Sequence, residues 1–309
     1  MRVVFLGTPD FAVRSLNALI SSGHQVVGVF TQPDRPKGRG KQLAEPPLKS
    51  AARAAGLTIY QPERIRRPES FELLKSLAPE LMVVVGYGQI IPRTIIDLPK
   101  YGILNVHASL LPKYRGAAPI QWAIANGETR TGVTIMQIDA GLDTGDILLK
   151  ASVPIAEDET APELSTHLAS VGADLLIEAL QQIATQSVHR EKQNEAEATY
   201  APVLKKEDGL IDWSRPAGQI YNRLRGFAPW PGAYTTFRGQ QLLVLSARVA
   251  ESFRACPGTL QSDNRTLLAG CGENSALELL EVQLGGKNRM SAQAFINGYK
   301  LAEHERLGD

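Results

Sequence analysis

The chain is poor in cysteine, in net charge and in long apolar runs, and each shortage removes a class of function. Its two cysteines, Cys256 and Cys271, lie 15 positions apart, outside any CxxC spacing and with no histidines placed to complete a metal set. Neither a disulfide framework nor a structural zinc site organises such a chain, and a reducing cytoplasm fits it. The histidines His24, His167, His189 and His304 likewise share no ligand spacing, so no metal is expected. A formal net charge of +1 supplies no global field that would advertise nucleic acid, and any such contact has to come from local patches. No apolar run reaches 18 residues, and the opening segment 1–7 is too short for a signal peptide, which points to a cytosolic protein off the membrane. Signatures of the GxSxG, HExxH and kinase types are absent. The turn Gly7-Thr8-Pro9-Asp10-Phe11 stands where a dinucleotide binder carries GxGxxG but has a single glycine, which argues against NAD or FAD. Asp10 or Thr8 is expected to cap the first helix there instead.

What is present is an α/β rhythm. The chain is 309 residues long and 43% hydrophobic, room for two domains of ordinary composition. Short apolar β-branched runs at 3–6 and 26–30 flank a helical pattern at 12–20, the βαβ alternation of a mostly parallel, Rossmann-like sheet. The run Leu81-Met82-Val83-Val84-Val85 is wholly apolar, as a central strand buried on both faces should be. Gly86-Tyr87-Gly88 follows it, where open α/β sheets bring backbone close to a ligand. A capping box, Thr160-x-x-Glu163, opens an amphipathic helix over 162–183 that closes a first domain, 1–188. From 189 to 208 the pattern is polar and aperiodic and reads as a linker. Beyond it, over 209–309, one helical pattern reaches Phe227, and about five short strands at close spacing indicate a small OB-like β-barrel.

The richest stretch is Asn105-Val106-His107-Ala108-Ser109-Leu110-Leu111-Pro112, with Asp143 following 36 residues after His107 in Gly141-Leu142-Asp143-Thr144-Gly145. An apolar run leads into it as a strand, and on a strand residues two apart share a face, so Asn105 and His107 stand side by side. The runs 132–138 and 146–153 are expected to pair antiparallel and return the Asp143 loop to His107. An amide donor beside an imidazole stabilises an oxyanion, and a carboxylate from another loop orients the imidazole, which is equipment for acyl transfer to an amine. A satisfied core histidine beside a turn asparagine fits the same spacing, so the pattern alone leaves both readings open.

Together Asn105, His107, Ser109-Leu110-Leu111-Pro112, Arg115-Gly116-Ala117-Ala118-Pro119-Ile120-Gln121 and Gly141-Leu142-Asp143-Thr144-Gly145 resemble the signature of the folate-dependent formyltransferases. The resemblance continues through the amino-terminal Gly7-Thr8-Pro9-Asp10-Phe11 and Thr31-Gln32-Pro33-Asp34-Arg35-Pro36, and on to Ile211-Asp212-Trp213-Ser214 and the Trp230-Pro231 turn, covering nearly the whole chain. It implies Asn105, His107 and Asp143 as catalytic residues and 10-formyltetrahydrofolate as formyl donor. It also implies a folate wall built from Ser109, Leu110, Leu111 and Pro112, with Gly86 and Tyr87 beside it. Its later motifs place the chain in the branch that formylates methionyl initiator tRNA for translation initiation.

Between 34 and 49, Arg35, Lys37, Arg39, Lys41 and Lys49 stand against only Asp34 and Glu45, in a segment with no regular element of its own. A long basic loop is costly unless it binds something, and the resemblance implies that it enters the acceptor arm of the tRNA, with Arg39 and Lys41 as contacts. Lys205, Lys206 and Arg223 are further expected tRNA contacts. Over 209–309 eleven basic residues face nine acidic ones, so charge by itself says little there. Other acceptors on the same fold, a sugar nucleotide, glycinamide ribonucleotide or water, remain open on sequence, as does a noncatalytic RNA-binding module. No heptad seam calls for a dimer or an obligate protein partner.

Overall fold

The computed structural model describes every residue except 38–41, 251–254, 264, 304 and 309. The chain divides into two compact units, one of Met1–Pro119, Arg130–Pro154 and Leu164–Pro202, the other of Ile120–Thr129, Ile155–Glu163 and Val203–Asp309.

The first unit is built on seven strands, β1 (Arg2–Gly7), β2 (Gln25–Phe30), β3 (Ile59–Tyr60), β4 (Leu81–Val85), β5 (Ile103–His107), β6 (Arg130–Gln137) and β7 (Ile147–Pro154). They lie in the order β7-β6-β5-β4-β1-β2-β3, with β1 to β5 mutually parallel and β6 and β7 antiparallel at one side. The helices α1 (Phe11–Ser21), α2 (Pro47–Ala54), α3 (Pro68–Ser76), α4 (Arg93–Ile96) and most of α6 (Ala161–Ala184) belong to this unit, whereas α5 (Pro119–Ala125) falls almost wholly in the other. Both faces of the sheet are covered. Val4, Leu6, Met82, Val84 and Ile103 pack with Leu74 of α3 and Ile95 and Ile96 of α4. The alternate residues Val3, Phe5, Val83 and Val85 are fully buried as well, and α1 packs against β2 and β4 while Gly172 of α6 lies against Val106 and Val133. Each such side chain contributes roughly 1.5–3 kcal/mol of burial, which is why continuous apolar runs read as central strands.

The chain leaves β1 toward β2 and β3 and then returns to β4 on the opposite flank of β1. This is a topological switch point, and the crevice of an open parallel sheet lies at the strand carboxyl ends beside it. Gly7 pairs with Val85 in register there, so Gly7-Thr8-Pro9 and Gly86-Tyr87-Gly88 flank the opening. Thr8 does not cap α1 as expected. Its hydroxyl donates to the Tyr87 carbonyl at 3.1 Å, and Asp10 makes no side-chain cap either, so the two loops are tied across the switch point.

The segment expected as a structureless basic loop forms a stub of antiparallel pairing, Arg35–Lys37 against Gln42–Ala44. The polar stretch read as a linker is laid along the first unit: Glu191 bridges Ile147, and Tyr200–Ala201 pairs parallel with Arg115–Gly116. Its fastening is by hydrogen bonds rather than apolar burial, so no hydrophobic period marks it.

In the second unit α7 (Ala217–Gly226) precedes β8 (Ala233–Phe237), β9 (Gln240–Val249), β10 (Leu260–Ser262), β11 (Leu267–Gly270), β12 (Ala276–Leu284) and β13 (Met290–Ser291). The antiparallel order is β8-β9-β12-β11-β10, with β13 on β12. The tail visits both edges: Leu307 bridges Phe237 of β8, and Arg306 bridges Thr259 just before β10. The tail thus joins the two ends of the strand order, as the closure of a small barrel does. An eight-residue helix unforeseen in the sequence, α8 (Ala292–Tyr299), is capped by the Ser291 side chain and buries Phe295 completely. Among the described residues no helix is long and apolar enough to cross a membrane.

The core of the second unit includes a buried polar pair, Trp213 Nε1 donating to the Thr235 hydroxyl at 3.0 Å, with Thr235 fully buried. Thr235→Val keeps the shape of that side chain and leaves the Trp213 N–H without its acceptor, so the urea unfolding midpoint of the second unit is expected to fall by an amount equivalent to about 1–3 kcal/mol. An unchanged midpoint would show that the pair contributes nothing.

Candidate active site

β5 ends at His107, and its alternation delivers Asn105 and His107 to one face as the sequence implies. On its far side β6 runs antiparallel, pairing Asn105 with Met136 and His107 with Thr134. The β6–β7 hairpin then carries the loop of Asp143 back over this end of β5. Asn105 Nδ2 donates to Asp143 Oδ1 at 3.4 Å, and His107 Nδ1 lies 3.7 Å from Asp143 Oδ2. All three residues named from the sequence therefore converge.

Two backbone groups complete the cluster. His107 Nε2 is 2.9 Å from the Tyr114 carbonyl oxygen. A carbonyl only accepts, so Nε2 carries the proton of the neutral ring, and Nδ1 is the nitrogen that faces Asp143. The Gly116 N–H donates to Asp143 Oδ2 at 2.8 Å. Gly116 has φ of +120°, and a Cβ on it would meet the Ala201 carbonyl oxygen at 2.6 Å, so this donor requires glycine. Sequence spacing gives no sign of either backbone group; the Arg115-Gly116 dipeptide was the nearest signal. The side chain of His107 is 6% exposed and that of Asp143 16%, a pair mostly withdrawn from water yet open on one side.

The 109–112 turn is pinned from below. Fully buried Thr134 donates to the Ser109 carbonyl at 2.7 Å and accepts from the Leu111 N–H at 3.1 Å. The Ser109 hydroxyl donates to the Lys113 carbonyl at 2.6 Å, and Leu111 is buried with Met136 and Ile147. Of the four residues expected as a folate wall, Leu110 and Pro112 keep exposed surface, whereas Ser109 and Leu111 face inward. Gly86 has φ of +58° and a Cβ there would strike Pro9 at 2.9 Å. Tyr87 turns its ring into the core, where burial pushes the phenol well above its ordinary range and its hydroxyl has no partner; it meets the crevice through backbone alone. Ile90, 91% exposed, follows Gly88, and Leu142, 60% exposed, precedes Asp143. A cleft of about 340 Å³, bordered by Ile96, Tyr101, Gln137 and Asp139, adjoins the same loop.

The expected tRNA contacts fare differently. Arg39 and Lys41 lie outside the described residues. Lys49 is committed to Asp34 at 2.6 Å, and that contact, with Gln61 assisting, holds the Asp34 carboxyl below its usual range. Lys205 and Lys206 are exposed in a turn of the second unit. Arg223 is not a free surface cation: it donates to the Asp208 carbonyl at 2.9 Å, lies 4.9 Å over the Phe227 ring and 5.9 Å over Trp122, and burial lowers its pKa. A guanidinium so stacked and hydrogen-bonded serves the packing of its own unit.

Comparison with known proteins settles the affiliation. The profile described as "Formyl transferase" matches residues 1–180, and that of "Formyl transferase, C-terminal domain" matches 203–300. The chain belongs to the formyltransferase family. Proteins named methionyl-tRNA formyltransferase are similar along its full length: that of Solibacter usitatus is 57% identical and that of Koribacter versatilis 55%, each over 100% of this chain and 99% of the relative. Among solved structures, a sugar 3N-formyltransferase crystallised in the presence of dTDP and 5-N-formyl-THF has a TM-score of 0.69 at 20% identity, over 93% of this chain and 99% of that one. At that identity the likeness speaks for the fold. The formyltransferase signature motifs thus lie on the two loops flanking the switch point and on the ends of β5 and β6.

The tautomer is directly testable. In ¹⁵N-labelled protein the neutral ring of His107 is expected as the Nε2–H form with a slowly exchanging proton; an Nδ1–H neutral ring would contradict the Tyr114 hydrogen bond.

Proposed function

We propose that this enzyme transfers the formyl group of 10-formyltetrahydrofolate to the α-amino group of methionyl initiator tRNA, and that it does so in the cytoplasm, where translation begins. The observation that carries the reading is the convergence of Asn105, His107 and Asp143 at the strand ends beside the switch point, in a chain at least 55% identical to two proteins named for that reaction.

The fit to the donor rests on the shape and chemistry of the crevice. A flat, partly apolar folate calls for apolar walls and close backbone. Ile90 and Leu142 leave large apolar surface exposed on the two loops beside the crevice, and at Gly88, where an added Cβ would meet nothing nearer than 3.8 Å, the backbone is uncovered. Leu110 and Pro112 add the wall, with Ser109 and Leu111 holding it from inside.

The amine attacks the formyl carbon, a new carbon–nitrogen bond forms, and the carbonyl oxygen gains charge in a tetrahedral intermediate. The Asn105 amide, with one N–H on Asp143 and a second to give, stabilises that oxyanion, and His107 adds to it through Nδ1–H when the ring is doubly protonated. Asp143 holds both and receives the proton shed by the attacking amine, directly or through water. Collapse breaks the bond to N10, which takes up the proton held by Asp143, directly or through water, and leaves as tetrahydrofolate. The exposed Lys205 and Lys206 and the basic 34–49 segment serve the tRNA phosphates, a salt-sensitive contribution.

Asn105→Ala, His107→Ala and Asp143→Ala are each expected to lower kcat by two to three powers of ten, about 3–4 kcal/mol, with the fold intact; near-wild-type turnover would remove that residue from the mechanism. Labelled formyl offered with methionyl initiator tRNA, free methionine and a sugar-nucleotide amine in parallel should appear on the tRNA alone. Label on a small amine, or formate released to water, would overturn the acceptor.

A further inference from the structure

Asp143 adopts φ of +52°, a left-handed conformation uncommon for a residue with a side chain, and it sits in a hairpin loop, where chain mobility is ordinarily greatest. Something must hold it there. The Asx turn made by Asp139, which accepts from the Gly141 N–H at 3.0 Å and the Thr144 hydroxyl at 2.7 Å, shapes one side of the loop. The other side is held from a distant part of the chain. Gln193 Nε2 donates to the Asp143 carbonyl and to the Gly145 carbonyl, both at 2.8 Å, so one side-chain amide spans the residue and its second neighbour.

The orientation of that amide is itself fixed. Gln193 Oε1 accepts from Arg115 Nε at 3.1 Å and from Nη2 at 2.8 Å. A flipped amide would set its N–H groups against the guanidinium and its oxygen against two carbonyls, losing every bond at once. Arg115 has no exposed side-chain surface, and its remaining edge is gripped by both carboxylate oxygens of Glu195 at 2.8 Å. The next residue, Gly116, supplies the N–H that binds the Asp143 carboxylate. Arg115 therefore sets the backbone of Asp143 through Gln193, while its neighbour sets the side chain.

We propose that Gln193, oriented by Arg115, is a positioning residue for the formyl-transfer reaction, acting solely through Asp143 by stapling its backbone in the left-handed conformation. The proposal rests on the catalytic role given to Asp143 above. Small displacements of a reacting group are expensive, a misplacement of about 1 Å costing on the order of 100-fold in rate, and a residue that touches no substrate should leave substrate binding unaltered.

The test is Gln193→Met, of similar length and without hydrogen bonds, assayed with whichever amine the wild-type enzyme formylates, so that a wrong acceptor does not disturb the comparison. Expected are a kcat lower by about 10- to 100-fold, KM values for donor and acceptor unchanged within about twofold, and faster hydrogen exchange confined to the amides of 139–145. In an Asp143→Ala background the same substitution should cost nothing further. An equal loss in that background would overturn the proposal, as would a wild-type kcat or a change confined to KM. Full activity of Asp143→Ala itself would instead overturn the catalytic reading, and the exchange measurement would still report whether the staple exists. If Gln193→Met does not fold, Gln193→Glu keeps the contact with Arg115 but has no N–H for the two carbonyls, and the same losses are expected of it.

Discussion

The carboxylate of Asp143 is where otherwise separate parts of the first unit meet. It accepts from the Asn105 amide, approaches the His107 ring and accepts from the Gly116 N–H. A carboxylate has acceptor capacity for all of these at once: Asn105 and His107 arrive on the end of a parallel strand and Gly116 on the turn beyond it, while the anion itself comes from a hairpin loop. Were this anion displaced, the amide would lose its orientation, the imidazole its neighbour and the Gly116 backbone its acceptor. The 109–112 turn, pinned by Thr134 of the same hairpin, belongs to the same arrangement.

The sheet around it explains why the cluster is firm. β5 is the last parallel strand and lies between parallel β4 and antiparallel β6, with Ile103, Leu104 and Val106 buried. The change from parallel to antiparallel at this strand makes the next connection a hairpin rather than a helix; its loop leaves β6 beside Ile103 and folds back along β5 to bring Asp143 to Asn105 and His107. The parallel half of the sheet supplies the switch-point crevice and the loop of the antiparallel half supplies the carboxylate.

Departures from the sequence expectation have a common cause. The polar stretch 189–208 looks like a linker because it lacks an apolar period, yet part of it lies along the first unit through Glu191, Gln193, Glu195 and the Tyr200–Ala201 pairing. Arg223 looks like a surface cation in the sequence, but Trp122 and Phe227 enclose it. Helix α8 went unforeseen although Ala292, Phe295, Ile296 and Tyr299 keep helical spacing, because eight residues containing Asn297 and Gly298 carry little intrinsic helix preference. In each case the neighbours, and not the composition, set the local structure.

The sequence by itself determined the longer strands, the helices at 12–20 and 162–183 and the one that ends near Phe227, the burial of Leu81–Val85 on both faces, the capping box at Thr160 and Glu163, and the placing of Asn105 beside His107; the helices at 47–54, 68–76 and 93–96 went unread. These are local matters, because strand alternation and cap chemistry depend only on residues a few positions apart. Only the tertiary structure decided that Nε2 of His107 is held by a carbonyl, that Asp143 takes a backbone N–H, and that an arginine and a glutamine 78 positions apart lock together beneath the Asp143 loop. Those bonds depend on the order of strands in the sheet, and periodicity records which face a residue occupies without recording which strand lies beside it.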